Sequence, residues 1–179
     1  PRVYRNLGNA KFERVAAGAL TDLRTSSSCL AAADFDRDGD LDLFVGSRVT
    51  PGRFPDAPTS HLLRNDGGVF VDITDAQAPA LKSAGMVSGA TWTDLDQDGF
   101  CDLVVAAQWQ PLRIQHNEGG KRLVDRTTDL GIESYLGQWN SVASADLDGD
   151  GDFDLVATNL GQNSKYKASQ SRSEEHTSE

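Results

Sequence analysis

Three short apolar runs recur along the chain: "LFVG" (43–46), "LVVA" (103–106) and "LVAT" (155–158). Each follows a charged loop, and each loop follows a run of small residues: "CLAAA" (29–33), "SGATWT" (88–93) and "NSVASA" (140–145). After the first two apolar runs comes a third element, "SHLLRND" (60–66) or "PLRIQHN" (111–117). A Gly turn and a fourth element follow it, "GVFVDIT" (68–74) or "KRLVDRT" (121–127). The N-terminal stretch "RVYRNLGNAKFERVA" (2–16) supplies this second half alone. The elements are short and rich in Val, Leu, Phe and Thr, which favours strands. The Gly-containing turns favour tight hairpins. No long helical periodicity competes with this reading.

Four antiparallel strands per repeat is the period of a β-propeller blade. The pattern therefore predicts an all-β partial β-propeller over residues 1–168. It divides into a half blade (1–17), two blades (28–74 and 88–128) and a half blade (141–160). The first strand of a blade lines a crowded axis, which suits "AAA", "SGAT" and "VASA". A propeller needs about four blades to close, so the chain reads as a fragment. The C-terminal "RSEEHTSE" (172–179) fits no strand; it resembles an in-frame translation of a sequencing-library adapter. Residues 169–179 are expected to be a disordered or artefactual tail, which removes His176 from any chemistry.

Charge changes the picture. The formal net charge is −10, with 27 acidic residues against 17 basic ones. That balance disfavours nucleic acid, because no Lys/Arg stripe is available to neutralise phosphates. No apolar run is long enough for a membrane helix. Fourteen of the 27 acids fall in three loops: "DFDRDGDLD" (34–42), "DLDQDGFCD" (94–102) and "DLDGDGDFD" (146–154). The first, third, fifth and ninth positions are always Asp: Asp34, Asp36, Asp38 and Asp42; Asp94, Asp96, Asp98 and Asp102; Asp146, Asp148, Asp150 and Asp154. The sixth is always Gly. The seventh varies as Asp40, Phe100 and Asp152, so it should contribute its backbone carbonyl.

Alternate acids around a Gly turn suit Ca²⁺, which takes six to eight oxygens in flexible geometry. Cysteine is absent from the ligand pattern and the histidines lie elsewhere in the sequence, which disfavours zinc or copper. Mg²⁺ dehydrates too reluctantly for an all-protein cage. An EF-hand would need Glu at the twelfth position, where Val45, Val105 and Ala157 stand. About three Ca²⁺ sites are expected, and most of the apparent acidity is then metal-site charge. Solvated Asp-Gly turns are the competing reading, weakened by the threefold repetition.

These loops resemble the FG-GAP/VCBS repeat, the calcium-loop blade of integrin α-subunit propellers and many bacterial surface proteins. "LLRNDGGVFVDIT" is similar to the hairpin of the cartilage acidic protein-like branch. The resemblance implies a propeller, often seven-bladed, with Ca²⁺ in the loop joining the first two strands of a blade. Carried over by position, it implies ligands at the first, third, fifth, seventh and ninth residues of each loop.

Antiparallel order puts the Asp loops and Gly hairpins on one face of the disc. The long loops share the other: 18–27, 46–60, 75–87, 107–111, 129–140 and 157–166. Arg48, Arg53, Trp109, Tyr135, Trp139, Lys165 and Tyr166 lie there, types that interfaces favour. Trp109 and Trp139 read equally as wedges between blades. His61 and His116 are expected at matching structural places on the third strand. Cys29 and Cys101 read as small buried apolar residues. No nucleophile elbow, P-loop or zinc-protease motif is present. The expected function is a non-catalytic, calcium-stabilised module binding an extracellular protein or glycan in adhesion, outside the cell, at its surface or in the periplasm. The alternative is part of a propeller enzyme, such as a polysaccharide lyase, with its active site elsewhere.

Overall fold

A computed structural model describes residues 1–160. Twelve strands are present among them: β1 (Val3–Gly8), β2 (Lys11–Val15), β3 (Ser26–Ala33), β4 (Asp42–Val49), β5 (His61–Asp66), β6 (Val69–Asp72), β7 (Met86–Thr93), β8 (Asp102–Gln110), β9 (Arg113–Asn117), β10 (Leu123–Asp125), β11 (Gly137–Ala145) and β12 (Asp154–Asn159). All pairings are antiparallel. One sheet runs β3-β4-β5-β6, and β7 to β10 repeat that order. β1 pairs β2, and β11 pairs β12. The fold is all-β, built from four-stranded antiparallel sheets as propeller blades are. Two four-residue helices, α1 (Ala19–Asp22) and α2 (Thr74–Gln77), and a 3₁₀ turn (Pro79–Ser83) occupy linkers that the sequence pattern reads as plain loops.

The inner strands begin earlier than the pattern suggests. β11 starts at Gly137, and its first two residues pair with Gln110 and Gln108 of β8. This joins the second blade to the following half blade at one end.

β4 and β8 are buried on both faces along most of their length, which explains their continuous apolar runs. Phe44 and Leu62 of the first blade meet Leu103, Val105 and Leu123 of the second. Val45 and Leu63, one residue on, face the other way and pack with Ala17 and Leu20 beside α1. Val104 and Ile114 likewise face Val142 of β11. The cores therefore lie between blades, not within them.

The seams repeat. A register shift falls at Ser28 in β3, at Ser88 in β7 and at Asn140 in β11. A bulge turns its extra residue sideways. Ser28 Oγ lies 2.6 Å from the Val87 carbonyl of the next blade, and Ser88 Oγ 2.6 Å from that of Trp139. Trp92 Nε1 donates back to Ala31 O at 3.2 Å. Gly120 lies so close to the first blade that an added Cβ would sit 2.8 Å from Asp36 Cα.

Candidate metal centre

Asp34–Leu41, Cys101 with its preceding seven residues, and the 146–153 stretch join β3 to β4, β7 to β8 and β11 to β12. Each loop is a chain of Asx turns. The first aspartate accepts from the sixth-position amide: Gly39 to Asp34 at 3.1 Å, Gly99 to Asp94 at 2.9 Å, Gly151 to Asp146 at 3.1 Å. The third accepts from the fifth-position amide, and the fifth from the seventh, in all three loops. The sixth-position glycines have φ of 97°, 90° and 97°, a left-handed turn that a Cβ would strain.

Carboxylate oxygens converge in each loop. Asp34, Asp36 and Asp42 form one group, Asp94, Asp96 and Asp98 a second, and Asp146, Asp148 and Asp154 a third. The ninth-position aspartate has a further role. Asp42 accepts from Phe35 N at 2.9 Å and from Asn65 N at 2.8 Å, tying the loop to β5. Asp102 repeats this with Leu95 N and Asn117 N at 3.2 and 2.8 Å. Burial, with repulsion from Asp36 and Asp38, raises the Asp42 carboxyl above its ordinary range despite those amides. Burial raises Asp102 likewise, with Asp96 adding to it.

Seventh-position side chains point away from the groups. Asp40 accepts from Gly67 N of the β5–β6 hairpin at 3.1 Å. Phe100 lies under the Arg37 guanidinium, and Asp152 accepts from Gln97 Nε2. None of the three belongs to a converging carboxylate group, which leaves the seventh position its backbone carbonyl to offer an ion, as the substitution by Phe100 suggests. The oxygen-only donor set of the repeated groups fits a hard cation such as Ca²⁺. Asp94 Oδ1 also fits: it is buried with no hydrogen-bond partner, a costly arrangement without a counter-charge.

Residues 1–45 and 94–157 match the FG-GAP-like repeat family. The chain belongs to that family. No match was found among curated proteins.

The FG-GAP-like repeat corrects two readings of its histidines. Asn65 and Asn117 are the equivalent residues, since each amide bonds the ninth aspartate and each Oδ1 accepts from the glycine three residues on. His116 therefore corresponds to Arg64, and His61 to Arg113. His61 Nδ1 lies 2.8 Å from Asp72 Oδ2, where Arg113 pairs Asp125 at 3.1 Å. His116 is not remote from the acids: its Nδ1 lies 3.0 Å from Asp102 and 3.5 Å from Asp96. It opens onto a cavity of about 360 Å³ with Leu95, Ile114 and Leu130. Counting back from the turn asparagine, not forward from the strand start, would have found it.

Asp72 holds a second small network. Burial works to raise its carboxyl, but hydrogen bonds from Thr74 and His61 outweigh it and hold the group below its ordinary value. A depressed carboxyl stabilises the fold above the ordinary carboxylate range and loses that contribution as pH falls through its own value. Urea unfolding of wild type and Asp72→Asn at a series of pH values should show a stability gap at neutral pH that narrows in acid.

The described long-loop candidates make separate contacts, and Arg48, Trp109 and Trp139 stand on β4, β8 and β11 rather than in loops. Arg48 is exposed, Arg53 pairs with Asp56 at 3.0 Å, and Tyr135 is exposed. Trp109 packs edge-on against Phe54 with centroids 5.9 Å apart. Trp139 is half-buried against the Val104 cluster and donates to Gln110 O at 2.9 Å, so it is a wedge between blades. A cavity of about 340 Å³ opens on this side, lined by Asp22, Arg24, Thr25, Pro51, Thr59 and His61 among others, and none of the candidates lines it. Lys165, Tyr166 and the 169–179 tail lie outside the described residues. Cys29 and Cys101 are free thiols, half-buried rather than buried, and burial raises both.

Proposed function

We propose that this FG-GAP-like chain is a calcium-stabilised propeller module that binds a protein or glycan outside the cell or in the periplasm, and that it is not itself a catalyst. The carrying observation is one Asx-turn network, repeated in all three loops, that gathers carboxylates from the first and third positions each time, joined by the ninth in the first and third loops and by the fifth in the second. Like charges held that close repel, and a dication at their centre reverses the sign. Asp34, Asp36, Asp38 and Asp42, with the Asp40 carbonyl, would hold the first ion, and their equivalents the others. Loops of this kind in extracellular modules often bind at roughly 10⁻⁴–10⁻³ M, a range filled outside cells and not in the cytosol. The binding surface is the long-loop side, which presents Arg48 and Tyr135 to solvent.

Thermal melts with calcium and with EDTA test the first half of this reading. A hundredfold excess of calcium over its Kd stabilises by about 2.7 kcal/mol per site, which corresponds to a rise on the order of 5–10 °C each. Coincident melting curves would refute it. A glycan array probed with the calcium-loaded protein tests the second half.

A further inference from the structure

The three loops touch one another in series, each time through the fourth residue of one loop and the sixth and seventh of the next. The fourth residue of each loop is left-handed: Arg37 at φ 62°, Gln97 at φ 58° and Gly149 at φ 81°. For Arg37 and Gln97 that conformation is uncommon, and both side chains leave their own loop for the next. The Arg37 guanidinium carbon lies 5.1 Å from the Phe100 ring centroid. Gln97 Nε2 bonds Asp152 Oδ1 and lies 3.4 Å from Gly151 O. In both cases the fourth residue of one loop meets the sixth and seventh of the next. On the calcium reading, the seventh residue is the one whose carbonyl would complete the cage. Asn117 Nδ2 adds a bond to Phe35 O at 2.9 Å, locking the second blade to the start of the first loop.

We propose that calcium binding is coupled from loop to loop, with Gln97 transmitting the state of the second loop to the third. The inference rests on the calcium reading above. Gln97 sits between Asp96 and Asp98, two ligands of its own loop on that reading, so an ion there fixes its backbone. Its amide then holds the sixth and seventh residues of the third loop in the geometry that the next ion needs. With the second loop empty, the third loop loses that support and binds more weakly. Arg37 gives the first and second loops the same connection through a stacked cation.

The amides of Gly39, Gly99 and Gly151 each donate to the first aspartate of their own loop. They therefore report the three loops separately in a calcium titration followed by NMR of glycine-labelled protein. Gln97→Ala removes an exposed side chain, and the remaining glycine signals show whether the fold persists. The variant should move the Gly151 midpoint to about three- to tenfold higher calcium, the value of one lost hydrogen bond, with the Gly39 midpoint unchanged. Silencing the second loop with Asp94→Asn and Asp96→Asn should move it in the same direction, and adding Gln97→Ala to that background should change nothing more. A Gly151 midpoint indifferent to Gln97→Ala would overturn the coupling while leaving the calcium sites standing. Wild-type glycine signals that ignore calcium altogether would remove both.

Discussion

Phe35→Ala should destabilise the protein by about 3–5 kcal/mol, the usual cost of truncating a fully buried aromatic. Phe35 is the second residue of the first Asp loop, yet it is 0% exposed. Its ring lies 6.2 Å from that of Trp92 and joins the core that Phe44, Leu62, Leu103 and Leu123 build between the two blades. Removing it leaves a cavity where two sheets meet, and the sheets cannot close on it without shifting the Asp loop that carries it. Its backbone also takes part in the seam, since Phe35 N donates to Asp42 and Phe35 O accepts from Asn117. Chemical denaturation read by Trp fluorescence measures the loss, and Phe35→Leu should recover most of it.

Asp102→Ala should cost a comparable amount, roughly 3–5 kcal/mol, in calcium-free buffer. The reason is not the metal. Asp102 is 2% exposed and accepts from Leu95 N and Asn117 N, with His116 Nδ1 at 3.0 Å. Alanine would strand two backbone donors inside the fold. Asp98→Ala is the control. Asp98 is exposed and its side chain accepts only from the local Phe100 amide, so without calcium it should unfold close to wild type. If the two variants lose equal stability in EDTA, the ninth-position aspartate is merely one more ligand and the pinning role fails. With calcium restored, both should bind more weakly at the second loop.

Much of this was legible in the sequence because the repeat samples each position three times. Phe100 in place of Asp40 singles out the seventh side chain as the one the pattern does not require, and the structure places those side chains outside the carboxylate groups. The small residues before each loop mark the inner strands, which do pair as the first strand of each blade. What was hidden depends on contacts between repeats or on register. The backbone-pinning role of Asp42 and Asp102 is invisible because a proposed metal ligand and a backbone acceptor are the same residue type. His116 was misplaced because β5 begins with His61 four residues before Asn65, as β9 begins with Arg113 four before Asn117; matching His to His slips the alignment by three. Residue type alone leaves Trp139 either a binding-face residue or a wedge, and its packing on the Val104 cluster with the bond to Gln110 O decides for the wedge.

The bulged serines carry a consequence for how such a chain can grow. Ser28 reaches a main-chain carbonyl of the next repeat, and Ser88 does the same one repeat later. A main-chain acceptor exists whatever residue stands there, so each of these two copies carries its own connector and needs no matched partner, while the third has Asn140 at the bulge. A gene duplication that added one repeat would therefore arrive with its seam chemistry already in place. Inheritance can lengthen this protein a blade at a time without first inventing a new interface.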